Sequence, residues 1–108
     1  MSEAWSLFHA LGDRHRLEIL RRAAERGTSP MLQLFDGIPI TRQAAAKHLS
    51  VLAAAGLVSI QRQGREQLVS VESQNLRVAT MYLAQIESSW SDRLNRLKQL
   101  TETKETMD

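Results

Sequence analysis

A basic segment near the middle of the chain offers side chains that can bind nucleic acid. Residues 37–65 contain no Asp or Glu and four bases: Arg42, Lys47, Arg62 and Arg65. Arg and Lys can donate hydrogen bonds to guanine edges or to phosphate oxygens, and Gln43 can form a bidentate pair with adenine. The sequence shows no nucleophile–base–acid set and no phosphate-binding loop, so we predict no catalytic residue and no enzymatic activity. The chemistry of this segment is that of binding.

Local signals predict that this segment forms a helix followed by a β-hairpin. Thr41 is suited to the N-cap, because its hydroxyl can accept from an unpaired amide of the first turn. Gly56 is suited to the left-handed residue that ends the helix. Alternation then predicts strands at 58–61 and 67–71, with a turn at 63–65. One face of the helix is predicted to be buried through Ala45, Leu49 and Leu52.

The other face of this helix is the predicted DNA-binding surface. Its predicted contacts are Thr41, Arg42, Gln43, Ala46, Lys47, His48 and Ser50. Ala46 is small enough to let the helix approach the bases, and His48 can either contact a phosphate or pack at the helix margin. An ordinary solvated helix would show a similar polar face. The basic hairpin that follows favours the DNA-binding interpretation.

Two arginines flank the glycine at the predicted hairpin tip. We predict that Arg62 and Arg65 contact phosphates or the minor groove. Hairpin tips are also commonly charged for solubility. Glu66 weakens the local positive field, so the predicted contribution of the tip is modest.

The order and spacing of these motifs resemble those of ArsR-type winged-helix repressors. The recognition helix of that family is similar to residues 41–49, Leu52 and residues 55–58 of this chain. Residues 10–20 are similar to its entry into the second helix, and the resemblance covers roughly residues 5–100. It implies a winged helix-turn-helix fold, mainly α with a β-hairpin wing (α+β). It also implies a homodimeric repressor that binds double-stranded DNA at a pseudo-palindromic operator.

Length and composition predict one domain within the 108 residues, with 43% hydrophobic residues and a net charge of +2. We divide it into a DNA-binding core (4–72), a long dimerisation helix (73–101) and a frayed tail (102–108). Within the core we predict a first helix that ends near Gly12. A second helix, capped by Asp13 and stopped at Gly27, is predicted to bury Leu17, Leu20 and Ala24. A third helix is predicted from Pro30 to Asp36.

An apolar stripe on the terminal helix is predicted to form the dimer interface together with the first helix. Its residues recur every three or four positions, close to a heptad seam. The predicted interface residues are Trp5, Phe8, Leu76, Ala79, Leu83, Ile86, Trp90, Leu94 and Leu97.

Metals, cofactors and membranes are not predicted as partners. The chain has no cysteine, its histidines are His9, His15 and His48, and the terminal helix has none. Sensors of the resembled family use cysteines on the third helix, or His–carboxylate pairs on the terminal helix, so no metal site is predicted. The N-terminus is too short and polar for a signal peptide, and a cytoplasmic protein is expected. Whether a small-molecule inducer exists stays open.

Two other functions remain as alternatives. A repressor could hold a small apolar molecule at the dimer interface, which a deep pocket beside Trp5 or Trp90 would support. A winged-helix module could instead bind proteins without reading DNA, which an apolar or acidic recognition face would support.

Overall fold

The protein is a mainly helical domain with a small antiparallel sheet. A computed structural model describes residues 3–107, and side chains to residue 102. Within that range the elements are α1 Ala4–Leu11, α2 Arg14–Arg26, β1 Ser29–Pro30, α3 Met31–Leu34, α4 Arg42–Ala54, β2 Val58–Gln63, β3 Glu66–Val71 and α5 Ser73–Met107. The fold is therefore the winged helix-turn-helix arrangement, in which α3 and α4 form the helix-turn-helix and β2–β3 form the wing.

Helix α2 begins at the predicted cap but buries a different face. The Asp13 carboxylate accepts from the amides of His15 (2.8 Å) and Arg16 (3.1 Å). The buried residues of the helix are Ile19, Leu20 and Ala23. The predicted burial of Leu17 and Ala24 is wrong, since Leu17 is 50% exposed and Ala24 is exposed. Helical spacing allowed either stripe, and packing of α2 against α4 and β3 selects the one containing Ile19.

The predicted third helix is largely replaced by a strand, one helical turn and a loop. Ser29 and Pro30 pair with Val69 and Leu68 of β3, so Pro30 lies in an edge strand and is not the first helical residue. The helix itself spans only Met31–Leu34.

Two arginines of α2 satisfy carbonyls at the end of α3. Arg26 donates to the carbonyl of Gln33 (2.9 Å). Arg22 donates to the carbonyls of Leu34 (3.2 Å) and Asp36. These bonds hold the first helix of the helix-turn-helix against α2, because the last carbonyls of a helix lack partners within it.

The sheet has the order β1-β3-β2, and the wing is a regular hairpin. Val58 pairs with Val71 and Gln63 with Glu66, so both wing strands extend closer to the tip than predicted. Gly64 has a φ of 65°, whereas Arg65 has a negative φ, as in a type II′ turn.

The core lies between α1, α2, α4 and the sheet, and α5 extends beyond it. The largest fully buried side chains are Leu7, Ile19, Leu34, Leu49, Leu52, Leu57 and Val69. The radius of gyration is 20.2 Å, whereas a compact chain of this length would have about 13 Å. From Thr80 to Glu102 every residue of α5 is exposed. The distal part of α5 is thus an arm that extends beyond the core.

The terminal helix differs from its prediction at the start of the apolar stripe and at the C-terminal end of the helix. Ala79 is only 4% exposed and Leu76 packs against the core, so the subunit itself covers the start of the stripe. Ala79 is thereby corrected from a dimer contact to a core residue. The helix continues to Met107, past the predicted end at Thr101, and Asp108 lies outside the described residues. Among the residues searched, no helix is long and apolar enough to cross a membrane.

Candidate nucleic-acid interface

Helix α4 presents a polar face because its other face is anchored in the core. The Thr41 hydroxyl accepts from the amide of Ala44 at 3.0 Å, which confirms the predicted cap. Ala45, Leu49 and Leu52 are at most 1% exposed. They pack toward α2 and the first wing strand, and this fixes which side of the helix faces solvent.

The exposed face carries a row of donors and acceptors. Thr41, Arg42, Gln43, Lys47 and Ser50 are exposed. Gln43, Lys47 and Ser50 follow one another at helical spacings of four and three, so they form one stripe. Four residues of helix rise about 6 Å, slightly less than two base-pair steps of about 3.4 Å. Side chains that neighbour each other on this stripe can therefore reach bases about two steps apart in a major groove.

Two predicted contacts have more restricted roles. Ala46 is half-buried. Its methyl group projects less than the longer side chains around it. The Ser50 hydroxyl donates to the carbonyl of Ala46 at 3.1 Å. Its lone pairs remain free to accept, so Ser50 can meet a donor such as an exocyclic amine of a base.

His48 lies at the helix margin, and its predicted DNA contact stays a prediction. Its side chain is only 20% exposed, and Nδ1 is 3.9 Å from a carboxylate oxygen of Asp13. Nδ1 lies 3.1 Å from Nη1 of Arg16. A guanidinium can only donate, so Nδ1 of His48 is the acceptor in this contact. Of the two roles that the sequence left open for His48, the geometry supports packing at the margin.

Arg16 is a positioning residue that the motif analysis did not single out. Besides His48, its guanidinium donates to the carbonyls of Ala10 (2.6 Å) and His9 (3.3 Å). It therefore ties the end of α1 to the recognition helix. The amide of Arg16, followed by that of His15, lowers the pKa of Asp13, so this cap stays ionised. The contact between Arg16 and His48 joins residues 32 positions apart, and helical periodicity carries no signal for it.

The wing supplies two more exposed cations. Arg62 and Arg65 lie on either side of the Gly64 turn, and the guanidinium of Arg62 is 3.5 Å from the carbonyl of Gly64. Within the described residues no carboxylate oxygen lies within 4 Å of either guanidinium. Both charges are thus available to an external anion.

The predicted dimer residues divide into two groups. Phe8 packs against the core with its ring 5.8 Å from that of Tyr82, and Leu76 and Ala79 belong to the same packed region. The exposed group consists of Trp5, Leu83, Ile86, Trp90, Leu94 and Leu97. A shallow groove beside Trp90 is formed by the surface of α5 alone, between Ile86 and Arg96.

Known transcriptional regulators resemble the chain in sequence and in fold. No protein-family model matches the chain. The chain is 39% identical over 79 residues to the uncharacterized HTH-type transcriptional regulator YuzN of Bacillus subtilis, covering 67% of this chain and 85% of that protein. It is 36% identical to an ArsR-like transcriptional regulator from Rhodococcus sp. RHA1, with a TM-score of 0.75 over 90% of this chain and 91% of that one.

A more distant structure shows the same fold. The homodimeric winged helix-turn-helix DNA-binding domain of Mb0332 from Mycobacterium bovis, a possible ArsR-family regulator, is 22% identical, with a TM-score of 0.61 over 76% of each chain. The two nearer relatives, which are 39% and 36% identical, show the family. The chain belongs to the ArsR family of winged helix-turn-helix transcriptional regulators and is a cysteine-free, DNA-binding member of it.

Proposed function

We propose that the protein is a homodimeric repressor that acts by binding a pseudo-palindromic operator. The observation that carries the proposal is the exposed row of Arg42, Gln43 and Lys47 on a helix whose opposite face is locked into the core. In this proposal α4 enters the major groove and the wing arginines contact phosphates. Binding over a promoter would suffice for repression, and no catalytic step is involved. Such a protein would act in the cytoplasm.

The exposed arm of α5 supports the homodimer. Its apolar side chains are 46–66% exposed from Met81 to Leu100. A helix gains most of its stability from packing an apolar face, so an arm of this length needs a partner. A second copy offers the same stripe and closes the interface by two-fold symmetry. The Mycobacterium bovis domain of the same fold is homodimeric, which agrees with this proposal.

The spacing along the arm suggests how the two helices meet. Leu83, Ile86, Trp90, Leu94 and Leu97 are separated by steps of three, four, four and three. A strict heptad would place Arg93 in the seam instead of Leu94. The extra step of four resembles a stutter, which locally unwinds a coiled coil, so we expect nearly straight helices in this region.

Two-fold pairing would present two recognition helices to one face of DNA. Half-sites should then lie about 10 base pairs apart, one turn of the double helix. The alternative of a protein-binding module lacks support from the exposed face, which is basic and polar and has no apolar patch.

Selection of bound sequences from random DNA, followed by titration of the selected operator and a scrambled duplex, tests the proposal. Arg42→Ala and Lys47→Ala should each weaken operator binding by about 1–3 kcal/mol and relax preference at one position. Arg65→Ala should weaken binding to both duplexes similarly. It should also reduce the slope of log affinity against log salt concentration by roughly one unit. Lys98→Ala removes the same charge from the distal arm of α5 and is the matched control. If α4 variants and the control bind alike, this DNA face is wrong.

A further inference from the structure

A cleft between α3 and the wing offers a second binding site next to the DNA-contacting arginines. We propose that it binds a small organic anion with an apolar body, and that occupancy weakens DNA binding. The regulatory half of this inference rests on the proposed function. Binding of the anion is inferred from the structure of the cleft and does not depend on the proposed function.

The cleft arises from the short length of β1. That strand pairs with β3 only at Ser29–Val69 and Pro30–Leu68, and the chain then turns away into α3. The edge of β3 at Glu66 and Gln67 consequently has no strand on its outer side. Antiparallel strands direct their backbone groups alternately to the two sides, so part of this edge offers unpaired amide and carbonyl groups to the cleft.

The wall of the cleft formed by α3 is apolar. Pro30, Met31 and Leu32 line it, and Leu32 is 55% exposed. Met31 packs against the core from the same turn, which holds this wall in place. An exposed leucine inside a concave surface is a feature that a ligand with a hydrocarbon or aromatic body would cover.

The opposite wall is cationic. Arg62 and Arg65 line it together with Glu66, leaving one positive charge in excess. No ion pair to either arginine occurs among the described residues, so both guanidiniums can bind a carboxylate or sulfonate. Gln33 and Gln67 add amide donors at the rim. An apolar wall that faces a guanidinium wall selects an amphiphilic anion over a neutral apolar molecule.

The size of the cleft suits a small molecule. Its volume is about 410 Å³, within the range of about 300–1,000 Å³ that is usual for ligand pockets. The groove beside Trp90 is less suitable because a single helix forms it and because it lies along the stripe that dimerisation would cover.

Occupancy of the cleft would affect DNA binding through shared arginines. A guanidinium that pairs with the ligand anion is not free to pair with a phosphate. Ligand and DNA would therefore compete, and each would lower the affinity of the other by the same factor.

The test uses 8-anilinonaphthalene-1-sulfonate, which joins an aromatic body to a sulfonate. Fluorescence titration of the full chain without DNA should show saturable binding, and amide chemical-shift changes should be confined to residues 30–33 and 62–67. Leu32→Gln should weaken binding at least fivefold. Leu17→Gln alters a leucine of similar exposure on α2 and should bind the probe like the wild type. Shift changes centred on residues 86–96, or equal binding by both variants, would overturn the site.

A second measurement separates the site from its regulatory role. The probe should raise the apparent Kd for the selected operator at least fivefold in the wild type. At the same probe concentration the rise should be markedly smaller in Leu32→Gln, which retains the arginines. Probe binding at the cleft with no effect on operator affinity would overturn the coupling. Probe binding at the cleft by a protein that selects no operator would leave the site standing and reject the proposed DNA-binding repressor.

Discussion

Replacing Trp90 by alanine should separate the two subunits while leaving each recognition helix intact. Trp90 lies in the middle of the exposed arm of α5 and is 59% exposed in the single chain. It is remote from α4, so the change alters no predicted DNA contact. Any loss of operator binding should follow from loss of the dimer.

The expected magnitude comes from the area that this ring still exposes. A Trp side chain can bury up to about 250 Å², and 59% exposure leaves roughly 150 Å² for a partner. At about 25 cal/mol per Å² that area corresponds to at most about 3–4 kcal/mol per ring. Incomplete burial reduces this to roughly 2 kcal/mol per ring, and a two-fold interface contains two rings. The dimer should lose about 2–4 kcal/mol, which raises its Kd roughly 30-fold to 1,000-fold.

Sedimentation at several protein concentrations measures this change. Wild type should be dimeric at micromolar concentration, and Trp90→Ala should shift toward monomer. Operator binding should fall at low protein concentration and recover as the concentration rises, because the DNA face is unchanged. Ser88→Ala, on the opposite side of the same helix turn, should behave like the wild type. A monomeric wild type, or a mutant that dimerises normally, would remove this interface from the proposal.

Three further predictions concern the recognition helix, acid stability and metals. His48→Leu removes the side-chain acceptor of the Arg16 guanidinium, which keeps the carbonyls of Ala10 and His9, and should lower the free energy of unfolding by about 1–3 kcal/mol. His48→Asn should retain most of that free energy; equal urea midpoints for the two variants would contradict this role. Hydrogen bonds from Arg21, then Arg22, lower the pKa of Glu18 from 4.5 to about 2. The stabilisation from the ionised carboxylate is therefore present above pH 4.5 and lost as the pH falls toward 2, and Glu18→Gln should flatten the fall in urea midpoint over that range. Excess Zn²⁺ or Ni²⁺ should leave operator affinity unchanged, because the chain has no cysteine and α5 carries no histidine; a saturable loss of binding would contradict this.

Local chemistry in the sequence determined the recognition helix and its limits. The signals are local: the hydroxyl of Thr41, the left-handed Gly56 and the spacing of Ala45, Leu49 and Leu52. All of them lie between residues 41 and 56. Propensity, capping and periodicity all agree there, so the buried face was predicted correctly. The wing followed from the same kind of signal, a glycine turn between alternating strands.

Contacts between residues that are far apart in the sequence decided the remaining features of the fold. The two-residue strand at Ser29 forms only because β3, 40 positions later, lies beside it. The choice between the two apolar stripes of α2 depends on which elements pack against it. Arg16 contacts His48 across 32 positions of the sequence, and helical periodicity carries no information about that contact.

The terminal helix shows most clearly where the sequence stops being informative. Its apolar stripe identifies one continuous face from Leu76 to Leu97, but a stripe does not say what covers it. The folded subunit buries Ala79 and leaves every residue from Thr80 to Glu102 exposed, because α1 and the core end there. Hydrophobic spacing determined that the face must be buried. Only the three-dimensional extent of the core decided where burial within one chain ends.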